Sequence, residues 1–317
     1  MEHPIQLDEE RSHKRTIGIC IRSLYTTSIA QEEYASCYEA WGGSFIVHPE
    51  VLQFLQNSYG IKTEYRGYYS QGKCVGAIAT WDKYIAGDRH ALRAHKLTDR
   101  VDFGYPVLYL PIAPGHSFPV LYRASFLLNF QQHKIEAAFF TRIKEMSILK
   151  QIPEELLTSK KEFQIKERRF ERLGGTMRNV QDFNSDEIVA IYQELFHVRW
   201  QRKPCGLENM KHTLQVLGKF LFGKVLWVKN RPIAIQINFR AETSRTICID
   251  YINGGADRSL DGISPGSLLS YINGRDAWAE ANARSKRLIY SYGKSNTKYK
   301  DQWCHRIGRG FTGFWLP

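Results

Sequence analysis

The chain has 317 residues, 43% of them hydrophobic and 24% charged, with a formal net charge of +12. That length and apolar content exclude a disordered chain and suit two modest domains or one large domain with an internal duplication. No run approaches the ~18 apolar residues of a membrane span, so a cytoplasmic chain without a transmembrane helix is expected, with acidic partners: nucleic acid, an anionic membrane surface or a phosphate-bearing cofactor.

The N-terminus is polar, with Glu2, Asp8, Glu9, Glu10, Arg11, Lys14 and Arg15, and its apolar run Ile17–Ile21 is too short for a signal peptide. Val51, Leu52, Leu55 and Tyr59 recur at helical spacing, predicting a helix over Pro49–Tyr59. Tyr65–Trp81 predicts a hairpin that turns at Ser70–Lys73, where Gly72 takes a positive φ cheaply. Val101–Ile112 predicts a strand punctuated by Pro106 and Pro111.

Between the halves the chain is charged and helical. Ser159–Arg178 carries seven basic and three acidic residues. The spacing then predicts helices over Ser185–Gln201, capped by Asp182 or Ser185, and over Leu207–Leu221. A second hairpin, Val225–Phe239, turns at Lys229–Pro232 and echoes the first. Ile233–Arg240 alternates as a half-buried strand, and Thr246–Ile252 alternates again before the strand is expected to stop at Asn253-Gly254-Gly255. A polar loop, Ala256–Ile263, leads to Ser264, a good N-cap, and Pro265, a favoured first helical residue. That helix runs towards Arg284, and the strand Arg287–Tyr292 follows.

The expected class is therefore α/β (α+β), with two similar lobes, each a mixed, mostly antiparallel sheet flanked by helices. The boundaries fall at 1–150 for the first lobe, 151–178 for the connector and 179–317 for the second lobe.

The six cysteines form no CxxC, and buried thiols in a reducing compartment are the simplest account. The ten histidines form no HExxH, so no metal is expected. No GxSxG or P-loop occurs, and no helix-turn-helix or zinc-finger pattern favours duplex DNA.

The second lobe carries the candidate chemistry. A helix start offers unpaired N–H groups and partial positive charge to a diphosphate, and Gly266 and Ser267 are small enough to let it approach. Ser264, Gly266, Ser267 and Leu268 are thus candidate donor-binding residues. Asp250, on a central strand, is a candidate general base, or else a strand-end residue paired with an arginine. Tyr292 or Tyr299 is a candidate proton donor to a leaving thiolate, or else a core or surface tyrosine. Lys298, Lys300, Arg306 and Arg309, interleaved with Tyr299, Trp303 and Phe311, suggest a surface for phosphates and flat rings, or else a solvated face over aromatic packing.

Meander, glycine turn, helix and strand is an order similar to that of the Gcn5-related acetyltransferase (GNAT) fold. Where that fold usually carries Arg/Gln-x-x-Gly-x-Gly/Ala, this chain has Arg258-Ser-Leu-Asp-Gly262-Ile-Ser264. Ser264-Pro-Gly-Ser-Leu-Leu269, Trp278, Leu288-Ile-Tyr-Ser-Tyr-Gly293 and Lys298-Tyr-Lys-Asp-Gln-Trp303 resemble the ordered "PGxLL … DFGxG … YKxxW" pattern of FemABX-like acetyltransferases. Asp102–Ile112, and Tyr38–Tyr59 with Trp41-Gly42-Gly43 and His48-Pro49, resemble the Mig-14 family.

The resemblance implies tandem GNAT-like lobes and a role in resistance to cationic antimicrobial peptides. It also implies peripheral association with the inner membrane. An acyl-CoA such as acetyl-CoA, or an aminoacyl-tRNA, would be the donor. An envelope precursor or a cationic peptide would be the acceptor. The alternatives are a non-catalytic binding protein of the same fold at a membrane surface, and a DNA-binding regulator.

Overall fold

The computed structural model describes residues 26–136, 138–150, 160–260, 262–295 and 297–313. The polar N-terminal stretch, Ile17–Ile21, Cys20 and the first part of the expected connector lie outside the described residues.

The first half opens with β1 (Thr27–Ser28), α1 (Gln31–Trp41) and α2 (Pro49–Tyr59). The strands β2 (Glu64–Ser70), β3 (Lys73–Trp81) and β4 (Tyr84–Ile85) complete an antiparallel sheet in the order β1-β2-β3-β4. The helix α3 (Arg89–Ala94) follows, then β5 (Phe118–Pro119), β6 (Ala124–Leu128), β7 (Ile135–Glu136) and β8 (Phe139–Leu149). The second half holds α4 (Lys160–Arg172), β9 (Gly175–Asn179), α5 (Ser185–Trp200), α6 (Leu207–Leu217), β10 (Lys224–Val228), β11 (Arg231–Glu242), β12 (Thr246–Ala256), α7 (Pro265–Ala283), β13 (Arg287–Lys294) and β14 (Cys304–Thr312). The chain is thus a mixed α/β protein whose largest sheet runs β6-β14-β8-β13-β12-β11-β10-β9. That sheet takes strands from both sides of the charged connector. Within it, β12 and β13 are parallel, whereas the other pairs are antiparallel.

Both predicted hairpins form, and they turn in the same way. Gln71 and Gly72 have φ of 49° and 75°, and Lys229 and Asn230 have φ of 48° and 63°. Two successive positive φ values mark the tight turn whose twist matches antiparallel strands.

Four local expectations change. The α5 helix is capped by Asn184, whose side chain accepts from the amides of Asp186 and Glu187 while Glu187 returns a bond to the Asn184 amide. That reciprocal pair outcompetes Asp182, which caps the preceding 3₁₀ turn instead, and Ser185, which is already helical.

Val101–Ile112 forms no strand beyond isolated bridges, because Pro106 and Pro111 supply no ladder donors. Gln131 substitutes for a partner strand: it donates to the Leu110 carbonyl (2.6 Å) and accepts from the Leu110 amide (2.8 Å).

The strand β12 does not stop at Asn253 but runs through Gly254 and Gly255 to Ala256. A Cβ on Gly255 would lie 2.5 Å from the Leu195 carbonyl carbon and the Phe196 amide nitrogen, so the glycine admits the α5 backbone against the strand.

Finally, β11 is buried on both faces from Ile233 to Phe239, because α7 covers the face bearing Gln236.

Aromatic contacts join the halves. Phe45, after α1, stacks on Phe239 of β11 with ring centroids 4.5 Å apart. Among the described residues no helix is long and apolar enough to cross a membrane.

Candidate acyl-donor site

The site is a fork between two strands. Parallel pairing of β12 and β13 runs from Thr246 and Arg287 to Asp250 and Ser291, and ends there. Two residues on, Ile252 bulges from the β12–β11 ladder, between the Ile237–Asn253 and Asn238–Tyr251 pairs. Beyond that point β12 stays with β11 while β13 turns to β8, and the backbones part. The start of α7 covers the opening.

The cavity beside the fork has a volume of about 540 Å³. Ser264, Gly266 and Ser267 line it from the helix start, with Tyr251, Tyr292, Gln236 and Ser270 along its depth. Arg199, Trp200, Arg258, Thr297 and Tyr299 complete the wall.

The helix start is shaped as an anion would require. Ser264 occupies the cap position with φ of 50°, and its side chain makes no capping bond. Its carbonyl accepts from the Ser267 and Leu268 amides at 2.9 and 3.0 Å. Pro265 has no N–H, and the Gly266 amide has no backbone acceptor among the described residues, leaving an orphan donor at the positive end of a 19-residue helix.

Two cations, Arg199 and Arg258, face the same space, and both lie near Trp200, at 4.7 and 6.0 Å from its ring. The acidic residue in the wall, Asp257, is occupied: it accepts from Arg231 (2.9 Å) and from the Ser259 hydroxyl (2.7 Å). Trp200 and Tyr299 are 44% and 41% exposed, so the rim offers flat aromatic surface to solvent.

The sequence-predicted residues divide. Ser264, Gly266, Ser267 and Tyr292 come together in the cavity. Leu268 is fully buried in the core against α7's neighbours and does not line it. Lys300 is also turned away: its ammonium donates to the Tyr292 and Lys294 carbonyls at 2.7 and 3.0 Å, capping the end of β13, and burial lowers its pKa. Of the basic and aromatic set around Lys300, Trp303 is buried, Tyr299 reaches the cavity, and Arg306 pairs with Asp301 at 2.7 Å.

Asp250 sits at the vertex of the fork but shares the face of Cys248, opposite α7 and beside Val107. It is buried and has no arginine partner among the described residues. Burial pushes its carboxyl up to about 7, against a smaller opposing pull from the Val107 amide. Neither oxygen makes a hydrogen bond of normal geometry, so that pull is weak. Tyr292 stacks between Tyr290 and Tyr251, at 4.8 and 5.3 Å, and donates to the Ser270 carbonyl at 3.3 Å. Burial, then the neighbouring Tyr290, holds its hydroxyl well above the usual range, so it keeps its proton.

Sequence reasoning missed the polar chain that fixes the floor. Gln236 donates to the Ser270 hydroxyl (2.7 Å), Asn273 donates to Gln236 (3.0 Å), and the Lys224 amide donates to Asn273 (3.0 Å). Ser270 in turn donates to the Gly266 carbonyl at 3.1 Å, tying this chain to the first turn of α7. The signal was present as Ser270 and Asn273, two polar residues three apart on an otherwise apolar helix face. Arg199 and Trp200 were visible only as a helix end.

Residues 48–310 match the model of the Mig-14 family. The chain belongs to the Mig-14 family. No curated protein matches this family member. Solved structures that resemble it include FemX, at 8% identity over 90% of this chain and 96% of that one, with a TM-score of 0.49. L-PGS from Bacillus licheniformis aligns at 12% identity over 86% and 94%, with a TM-score of 0.42. A tandem GNAT protein from the clavulanic acid biosynthesis pathway aligns at 11% over 90% and 97%, with a TM-score of 0.38. The family assignment rests on the sequence match. Among the described residues no group of three or more His, Cys, Asp or Glu is placed to hold a metal ion.

Proposed function

We propose that this Mig-14 family member transfers an acyl or aminoacyl group from a phosphate-bearing donor to an amine or hydroxyl. The observation that supports this reading is the open fork between β12 and β13, with an orphan helix-start amide and two cations beside it. An acyl-CoA fits that wall: the Gly266 amide, Arg199 and Arg258 would hold its phosphates. When bound, it supplies an activated thioester.

The chain's own groups do the rest. Past Asp250, β12 presents backbone no longer paired to β13, along which an extended arm can lie. Tyr292 keeps its proton, and its hydroxyl, now on the Ser270 carbonyl, would stabilise a leaving thiolate as a hydrogen-bond donor. Asp250, its carboxyl pushed up to about 7 by burial, would take a proton only from an acceptor amine that reaches it past Val107. An acceptor on the cell envelope or on a peptide fits a role in resistance to cationic peptides. Acylating such groups changes the charge that draws those peptides in.

A second reading, a binding protein that does not turn over, is favoured by one observation. Asp250 is walled in beside Val107 and does not line the cavity.

Thermal unfolding with and without acetyl-CoA tests donor binding. A donor at 100 times its Kd stabilises by about 2.7 kcal/mol. Arg258→Ala should remove most of the shift, and added salt should weaken it. No shift with any acyl-CoA, but one with aminoacyl-tRNA, moves the reading to the second donor class. No shift with either removes it. A shift without product release leaves the binding-protein reading.

A further inference from the structure

Away from the fork, two thiols meet on the first sheet. Cys37 lies in the middle of α1 and Cys74 near the start of β3, and their sulfur atoms are 3.4 Å apart. Both are free, Cys37 is buried, and Cys74 is part-exposed.

The packing around them leaves room for this contact. On β2, two residues before Tyr69, the register partner of Cys74, stands Gly67, where a Cβ would lie 3.2 Å from the Cys74 sulfur and 2.8 Å from a methyl of Ile29. Any larger residue there would displace the sulfur.

The two thiols are not equivalent. Cys37 donates its S–H to Cys74, and that bond lowers the Cys74 pKa below the usual thiol value, helped by the Gly76 and Tyr68 amides. The same bond, together with burial, raises Cys37. Glu33 opposes ionisation of both, but its carboxylate accepts a hydrogen bond from the Tyr69 hydroxyl. The accessible sulfur is therefore the better nucleophile, and the buried one holds the proton.

We propose that Cys37 and Cys74 form a peroxide-reactive dithiol that closes to a reversible disulfide between α1 and β3. A hydroperoxide reaches Cys74 from solvent. The thiolate attacks the O–O bond, an S–O bond forms, and the alcohol or water leaves with a proton, giving a sulfenic acid. The Cys37 sulfur then attacks the Cys74 sulfur. The S–S bond forms, the S–O bond breaks, and the hydroxide departs as water with the Cys37 proton. Two electrons pass from the thiol pair to the peroxide. Closing the gap from 3.4 Å to a bond of about 2.05 Å needs side-chain rotation of the two residues rather than rearrangement of the sheet.

This assignment is independent of the transfer reaction. The test uses the full chain, reduced, exposed to an equimolar amount of hydrogen peroxide at neutral pH, then alkylated and digested without reduction. The expected product is one cross-linked peptide pair joining Cys37 and Cys74, about 2 Da lighter than the two reduced peptides and reopened by dithiothreitol. Cys37→Ser, or Cys37→Ala if the serine variant misfolds, should stop at a Cys74 sulfenic acid that dimedone traps. Cys205, exposed and with its pKa raised by burial of the sulfur, serves as the internal reference and should be modified more slowly. Cys74 recovered as sulfinic or sulfonic acid in the unsubstituted protein, without the cross-link, would overturn the proposal. So would a pair that stays reduced while Cys205 is oxidised.

Discussion

Asp250 and Ser291 form the last rung of the parallel ladder between β12 and β13, and the fork between the two strands opens beyond them. The rung carries a buried acid whose pKa is raised from 3.8 to about 7. In the unfolded chain this group ionises near its ordinary value, so the native state binds the proton more tightly. Its contribution to stability is present in full below about pH 4 and is lost as pH rises towards 7. Asp250→Asn keeps the shape without the charge. It should be more stable than the parent at pH 8, by an amount on the order of a few kcal/mol, and nearly equal to it at pH 4. Denaturant unfolding at the two pH values measures this, and a difference that does not depend on pH would refute it.

Tyr292→Phe separates packing from chemistry. The ring keeps its stacking on Tyr290 and Tyr251, and the variant loses only the bond to the Ser270 carbonyl. Stability should fall by about 1 kcal/mol. If the hydroxyl stabilises the leaving thiolate, the transfer rate should fall by about 100-fold with donor affinity unchanged. An unchanged rate assigns that role to another group.

Gly255→Ala probes the approach of α5 to β12. The new methyl would meet main-chain atoms of Leu195 and Phe196, which cannot swing aside as a side chain can. Destabilisation of about 1–3 kcal/mol is expected. Because α5 carries Arg199 and Trp200 to the cavity wall, the ligand-induced rise in melting temperature should shrink too. A variant of parental stability would show that the helix moves away freely.

Gln236→Leu breaks the polar chain under the cavity. Ser270 keeps its bond to the Gly266 carbonyl, but an Asn273 amide hydrogen loses its buried acceptor. That should lower stability by about 1–3 kcal/mol in chemical denaturation. Gln236→Glu should restore part of it by offering Asn273 an acceptor again.

Those variants also mark where sequence reasoning ends. The two hairpins, the start of α7 and the order of meander, helix and strand were legible because each is written in neighbours: Asn230 in a turn, Pro265 after a cap, alternation along β11. The roles of Gly255 and Gln236 were not. One depends on a helix 60 positions earlier in the chain, the other on a serine 34 positions later. Leu268 and Lys300 were misplaced for a related reason. The helix start and the basic cluster were recognised as units, but rotation about the α7 axis, set by the core, turns Leu268 inward, and the carbonyls of Tyr292 and Lys294 draw the Lys300 ammonium to the end of β13.

The sheet order β6-β14-β8 places the last described strand, Cys304–Thr312, between two strands of the first half. Main-chain bonds to β14 occupy the edge of each. While the protein is being made, β6 and β8 leave the ribosome long before their shared neighbour exists. The larger sheet cannot close until Cys304–Thr312 has been made. A chain truncated before Cys304 would therefore present two open strand edges, a template for pairing with other chains.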